Sequence, residues 1–185
     1  MTVDDMIGRI LEKEGGYQAW PADKGNYFKG KLLGTNHGIT PDDLAEFRRV
    51  SDLTREDMKR LEADEAALIF RLKYYERMKI ERLPDVLEPA VFDFVVNSGA
   101  AGIKALQRTL NAFGHACDVD GGIGPQTVRV AYECLEDVPS DVFLRAYFEE
   151  RREFLRAIVE RRPNQGEFLN GWLNRVDALE RELVG

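Results

Sequence analysis

Apolar residues return every three or four positions through most of this chain, and no segment alternates them with polar ones strongly enough to predict an extended sheet. That spacing limits the chain to a mainly α fold. The punctuation between the runs agrees. Thr2 precedes an amphipathic run with Ile7, Ile10, Leu11 and Glu14 on one face. Thr40 and Pro41 open a second helix, with Asp43 near its positive end. Thr54 is expected to cap a long third helix that ends before Pro84. The run "DVLEPAVFDFVVNSG" is apolar all round and predicts a buried helix that stops at Gly99. A helix ending at Gly114, one launched at Pro125 and a charged one capped by Ser140 and reaching about Arg162 follow. After a loop, "RPNQGEFLNG", a last helix closes the chain. Only the glycine-rich stretch from Gly15 to Gly38 leaves room for β structure, at most a short hairpin.

With 185 residues, 44% of them apolar, the chain can bury a core without covalent staples. Its formal charge of −7 argues against a nucleic-acid partner. In and just before "RREFLRAIVERR", the interleaved Glu149, Glu150, Glu153 and Glu160 predict a solvated helix face. No apolar run is long enough to span a bilayer, and "MTVDDMIGRILEKE" lacks the features of a secretory signal, so synthesis in the cytoplasm is expected. Cys117 and Cys134 read as core thiols, with one bridge after export as the alternative. His37 and His115 stand in no metal-site spacing, and Asp118 and Asp120 in "DVDGGIGP" read as a turn, so no metal is expected.

The first helix carries the chemistry. Glu14 shares the apolar stripe of Ile7 and Ile10, and it sits at the helix end whose partial charge is negative. Both features favour a protonated carboxyl, the form that protonates a leaving oxygen in glycoside cleavage. Gly15 and Gly16 end the helix and keep bulk away from the acid. A frayed surface glutamate is the plainer alternative. Asp23 lies nine residues on, in a loop that can fold back to face Glu14. Two such carboxyls invert the sugar at about 6.5–9.5 Å apart and retain it at about 5 Å. A loop aspartate bonded to nearby backbone amides is the alternative for Asp23.

"EGGYQAWPADKG" followed by "TNHGIT" resembles the family 108 glycoside hydrolases, phage and bacterial N-acetylmuramidases with the pattern E-G-G-Y, a gap, P-x-D-x-G-G, then T-N-x-G-I-T. Glu14 to Tyr17, Pro21, Asp23, Gly25, Thr35, Asn36 and Gly38 to Thr40 match. The departure is "NYFKGKLLG" between Gly25 and Thr35, where the family usually has two residues. Downstream, "VFDFVVNSG" looks like the family's F-D-x-x-V-N-S-G segment, and "LQRTLN", "DGGIGPQT" and "GWLNRV" look like its C-terminal peptidoglycan-binding lobe.

The resemblance implies a lysozyme-like fold, with a catalytic part over residues 1–90 and a helical peptidoglycan-binding part over 91–185. It implies hydrolysis of the β-1,4 bond between N-acetylmuramic acid and N-acetylglucosamine, with Glu14 as general acid. By looser analogy with phage-type lysozymes, Asp23 holds or activates the water and Thr35 helps it. No cofactor is required. The expected partner is the glycan strand; the protein is expected to be a monomer that a holin or an export system brings to the wall. Tyr17 and Trp20 are the expected sugar-stacking faces, with packing of the loop as the alternative for Trp20, while Trp172 is expected to pack the last helix. Asn36, Asp93 and Asn97 complete the expected substrate contacts, although Asp93 also fits a bonded core carboxylate and Asn97 a helix cap. Lys24, Lys29 and Lys31 are either contacts for stem-peptide carboxylates or a solvated loop. Two other functions fit the same residues: a lytic transglycosylase using Glu14 alone, and a non-catalytic wall-binding or secretion-helper protein.

Overall fold

A computed structural model describes residues 1–185, and the chain divides into two compact units, Met1–Glu76 and Arg77–Gly185. Nine α-helices and one two-stranded hairpin make up the regular structure, a mainly α architecture.

In the first unit, α1 (Val3–Lys13) starts at a reciprocal cap. The Thr2 hydroxyl accepts from Asp5 N at 3.2 Å, and Asp5 Oδ2 accepts from Thr2 N at 2.8 Å. The same device, Thr40 with Asp43, opens α2 (Pro41–Arg48). Between them lies the hairpin of β1 (Tyr27–Phe28) and β2 (Lys31–Leu32), antiparallel, with Tyr27 opposite Leu32 and Phe28 opposite Lys31. Ile7, Ile10, Ile39, Leu44, Met58, Ile69 and Phe70 are buried and form the core.

The expected long third helix is not continuous. It divides into α3 (Arg55–Lys59) and α4 (Ala63–Ile69), then widens into a π-helical stretch over Phe70–Glu76. The first break is made by a side chain from the "TNHGIT" segment. Asn36 Nδ2 donates to the carbonyls of Met58 (2.9 Å), Lys59 (3.3 Å) and Leu61 (3.2 Å). Carbonyls that a continuing helix would offer to N–H groups four residues on are taken by a side chain instead. Glu62 is then extended, with ψ 158°. The π-helical stretch sends Arg71 to Asp4, Lys73 to Asp43 and Glu46 (2.6 Å each) and Tyr74 to Asp43 (3.2 Å), tying it to α1 and α2. Beyond it Lys79 is left-handed, φ 61°, and a single 3-10 turn, Ile80–Arg82, precedes Pro84.

The second unit holds α5 (Glu88–Ser98), α6 (Ala100–Ala112), α7 (Pro125–Asp137), α8 (Ser140–Arg161) and α9 (Leu169–Val184). The helix α8 packs on both α6 and α9. Phe92, Phe94, Phe143, Tyr147 and Phe148 fill the core; the Phe94 and Tyr147 rings meet edge-on at 6.2 Å, and the Tyr147 hydroxyl donates to Gly102 O at 3.1 Å. Ser140 is the first helical residue of α8 rather than its cap, because Pro139 occupies that position. The expected loop after α8 is a 3-10 helix, Pro163–Phe168, running straight into α9; Phe168 stacks on Trp172 one turn later, at 6.1 Å, across the junction. The "DGGIGPQT" turn is held by Gln107, which donates to Asp120 Oδ1 (2.7 Å) and Gly122 O (3.1 Å) and accepts from Gly121 N (2.8 Å). Cys117 and Cys134 are buried unpaired thiols, their pKa values pushed up by burial. No helix is long and apolar enough to cross a membrane.

Candidate active site

Glu14 is the C-cap of α1, its N–H still donating to Ile10 O at 3.0 Å. Ile7 and Ile10 behind it are almost fully buried, whereas Glu14 is partly exposed and Gly15 and Gly16 lie open to solvent. The acid therefore stands where the apolar stripe of α1 meets the surface.

What seats its carboxyl is the "TNHGIT" segment. Asn36 and Ile39 exchange backbone hydrogen bonds (3.2 and 2.8 Å) around a two-residue turn. Both turn residues have positive φ, His37 at 50° and Gly38 at 76°, the type I′ geometry that matches strand twist. A Cβ on Gly38 would stand 2.8 Å from Glu14 Cγ and 2.9 Å from Oε2. Gly38 is thus required twice, by the turn and by the carboxyl lying against its backbone.

The two motif pieces are stitched side by side. Gln18 and Thr35 form an antiparallel bridge, with N–H to carbonyl distances of 2.9 and 2.8 Å in the two directions. The Tyr17 ring lies against Gly34, its hydroxyl donating to Leu33 O at 2.8 Å, and Lys59 Nζ sits 5.7 Å from the ring centre. Asp23 caps the short 3-10 turn Lys24–Asn26, its Oδ1 accepting from Gly25 N at 2.9 Å. Trp20 is 66% exposed, and its carbonyl accepts from Asn26 Nδ2 (3.0 Å) and Asp23 N (3.1 Å). Thr35 is buried at 6% exposure. Asn36 is buried as well, its amide spent on the three carbonyls at the end of α3. Of the loop lysines, Lys29 donates to Ser51 O (2.5 Å) and Lys31 pairs with Asp52 (3.8 Å).

The two remaining expected residues lie in the second unit. Asp93 is buried and pairs with Arg151 (2.7 Å) and Arg175 (3.2 Å). Asn97 donates to Asp93 O at 2.5 Å. Arg151 overturns part of the reading of "RREFLRAIVERR" as a solvated face, for its side chain is only 3% exposed. It falls four residues after Tyr147 and four before Leu155, on the buried stripe of α8. Helical periodicity carried that signal, and the surrounding glutamates masked it.

The family model for glycosyl hydrolase 108 matches residues 7–99, the span that includes Glu14, the bridge and the glycine turn. The chain belongs to the glycosyl hydrolase 108 family. A second model, a predicted peptidoglycan domain, matches residues 101–177. This family member is a glycoside hydrolase that acts on peptidoglycan, with a mainly α, lysozyme-like fold. Its backbone is similar to the structure of SagA from Brucella abortus, with a TM-score of 0.78 over 98% of this chain and 93% of that one, at 24% identity. No curated protein matches it.

Proposed function

We propose that this hydrolase is an N-acetylmuramidase, cleaving the β-1,4 bond between N-acetylmuramic acid and N-acetylglucosamine. The placement of Glu14 carries the reading: a carboxyl at an open, glycine-flanked helix end, backed by the Gly38 turn. Glu14 gives its proton to the glycosidic oxygen as the C1–O bond breaks, and water supplies the new hydroxyl at C1. Asp23 has one oxygen engaged with Gly25 N, which leaves Oδ2 to take the proton of that water, with Thr35 assisting. The exposed Trp20 indole offers a face to a sugar ring, with Tyr17 as the second stacking residue of the reading. The substrate lies outside the cytoplasmic membrane, so the protein acts after export or lysis.

The commitment of one Asp23 oxygen to a turn favours a second reading, a lytic transglycosylase that relies on Glu14 alone. Digestion of purified wall by wild type, Glu14→Gln and Asp23→Asn, read by turbidity and mass spectrometry, separates the two. Reducing muramic ends, with loss of clearing in both variants, support hydrolysis. Anhydro ends, with clearing retained in Asp23→Asn, support the transglycosylase. Equal clearing by wild type and Glu14→Gln refutes both.

A further inference from the structure

The second unit contains a cavity of about 250 Å³ that the steps above do not use. Phe94, Leu155, Ile158 and Trp172 give it apolar walls. Its charged lining comes from Arg151, Arg162 and Arg175, with Gln165 beside them. Segments far apart in sequence converge there: Asn97 from "VFDFVVNSG", Arg151 from α8, and Trp172 and Arg175 from "GWLNRV".

Arg151 is the decisive group. Its Nη2 meets Asp93 Oδ2 at 2.7 Å, and its guanidinium carbon lies 4.9 Å from the centre of the Phe94 ring. Its Nε and Nη1 are buried with no hydrogen-bond partner. A guanidinium presents five donors in a planar fork, and buried donors left unmatched are costly. Asp93, the carboxylate in this cluster, answers only one edge of the fork and accepts from Arg175 as well. Three arginines line the cavity, and no acidic residue is among its lining side chains.

Resting on the peptidoglycan reading of the chain, we infer that this cavity binds a free carboxylate carried on a short apolar arm, the chemistry of the terminal D-alanine of a peptidoglycan peptide stem. A planar carboxylate is what a guanidinium fork pairs with best. The aromatic and aliphatic walls suit a methyl group. The volume lies below the ~300–1,000 Å³ usual for drug-sized ligands, which fits the end of a peptide better than a disaccharide.

The test titrates the full-length protein with acetyl-L-lysyl-D-alanyl-D-alanine, with its C-terminal amide, and with the peptide-free disaccharide, by calorimetry and by the NMR signal of the Trp172 indole N–H. The free acid should bind with Kd of about 0.1–1 mM, and the amide at least about tenfold more weakly. Arg162→Gln and Trp172→Ala, neither of them a member of the buried ion pair, should each weaken binding of the acid by about three- to tenfold while circular dichroism is unchanged. The inference is overturned if acid and amide bind alike, if the disaccharide alone binds, if nothing binds below about 10 mM, or if both variants bind like wild type. Wall cleavage measured on the same samples keeps the readings apart. Loss of cleavage chemistry with carboxylate binding intact counts against the muramidase assignment alone, and the converse counts against this cavity alone.

Discussion

Replacing Gly38 by alanine tests whether the turn seats the acid. Two penalties are expected. A left-handed alanine costs about 1–2 kcal/mol in stability. The added Cβ would lie 2.8 Å from Glu14 Cγ, against an ordinary carbon–carbon contact of about 3.5–4.0 Å, so the carboxyl must retreat by about 1 Å. A displacement of that size in a reacting group costs about 10²-fold in rate, equivalent to ~2.7 kcal/mol of barrier. Gly30 supplies the control. It has nearly the same φ, 79°, in the hairpin turn, but a Cβ there meets nothing within 4 Å. Gly30→Ala should carry the stability loss and clear a wall suspension within about twofold of wild type, whereas Gly38→Ala should be about 10²-fold slower. Initial turbidity rates, normalised to the folded fraction from urea titration, make the comparison. Equal rates for the two variants would refute the seating argument.

Asn36→Ala should lower stability by about 1–3 kcal/mol in urea unfolding, because the carbonyls of Met58, Lys59 and Leu61 lose their donor, and Asn36→Asp should cost more by facing them with an acceptor. Gln107→Leu should lower Tm by about 4–8 °C in calorimetry, corresponding to ~2 kcal/mol for releasing the "DGGIGPQT" turn. Glu65 is held below its ordinary pKa of 4.5, chiefly by the hydrogen bond from Arg48, whose two 2.7 Å contacts are bidentate. A lowered folded pKa adds stability above the unfolded value that is lost as pH falls through the folded one. Glu65→Gln should therefore cost about 1 kcal/mol at neutral pH. Denaturation midpoints should show that gap closing from about pH 5 downward.

Local chemistry made much of this molecule readable. Thr2 and Thr40 write their caps in adjacent residues, and "DVLEPAVFDFVVNSG" is buried because nearly every position is apolar. The juxtaposition of Glu14 with Gly38 was not readable, since it depends on a bridge between Gln18 and Thr35 that no periodicity announces. The division of α3 from α4 was hidden for a similar reason: its cause, Asn36, lies more than twenty positions away in sequence. Arg151 is the reverse case, for its register on α8 was visible but its partner Asp93 came from another helix.

The extra stretch between Gly25 and Thr35 doubles back on itself. Asn26 O accepts from both Leu33 N and Gly34 N at 2.9 Å, so the chain leaves the hairpin where it entered. Its length is therefore uncoupled from the spacing of Asp23 and Thr35. The exposed tip at Lys29 and Gly30 becomes a place where a fluorophore or an affinity peptide could be grafted and the hydrolytic apparatus left in register.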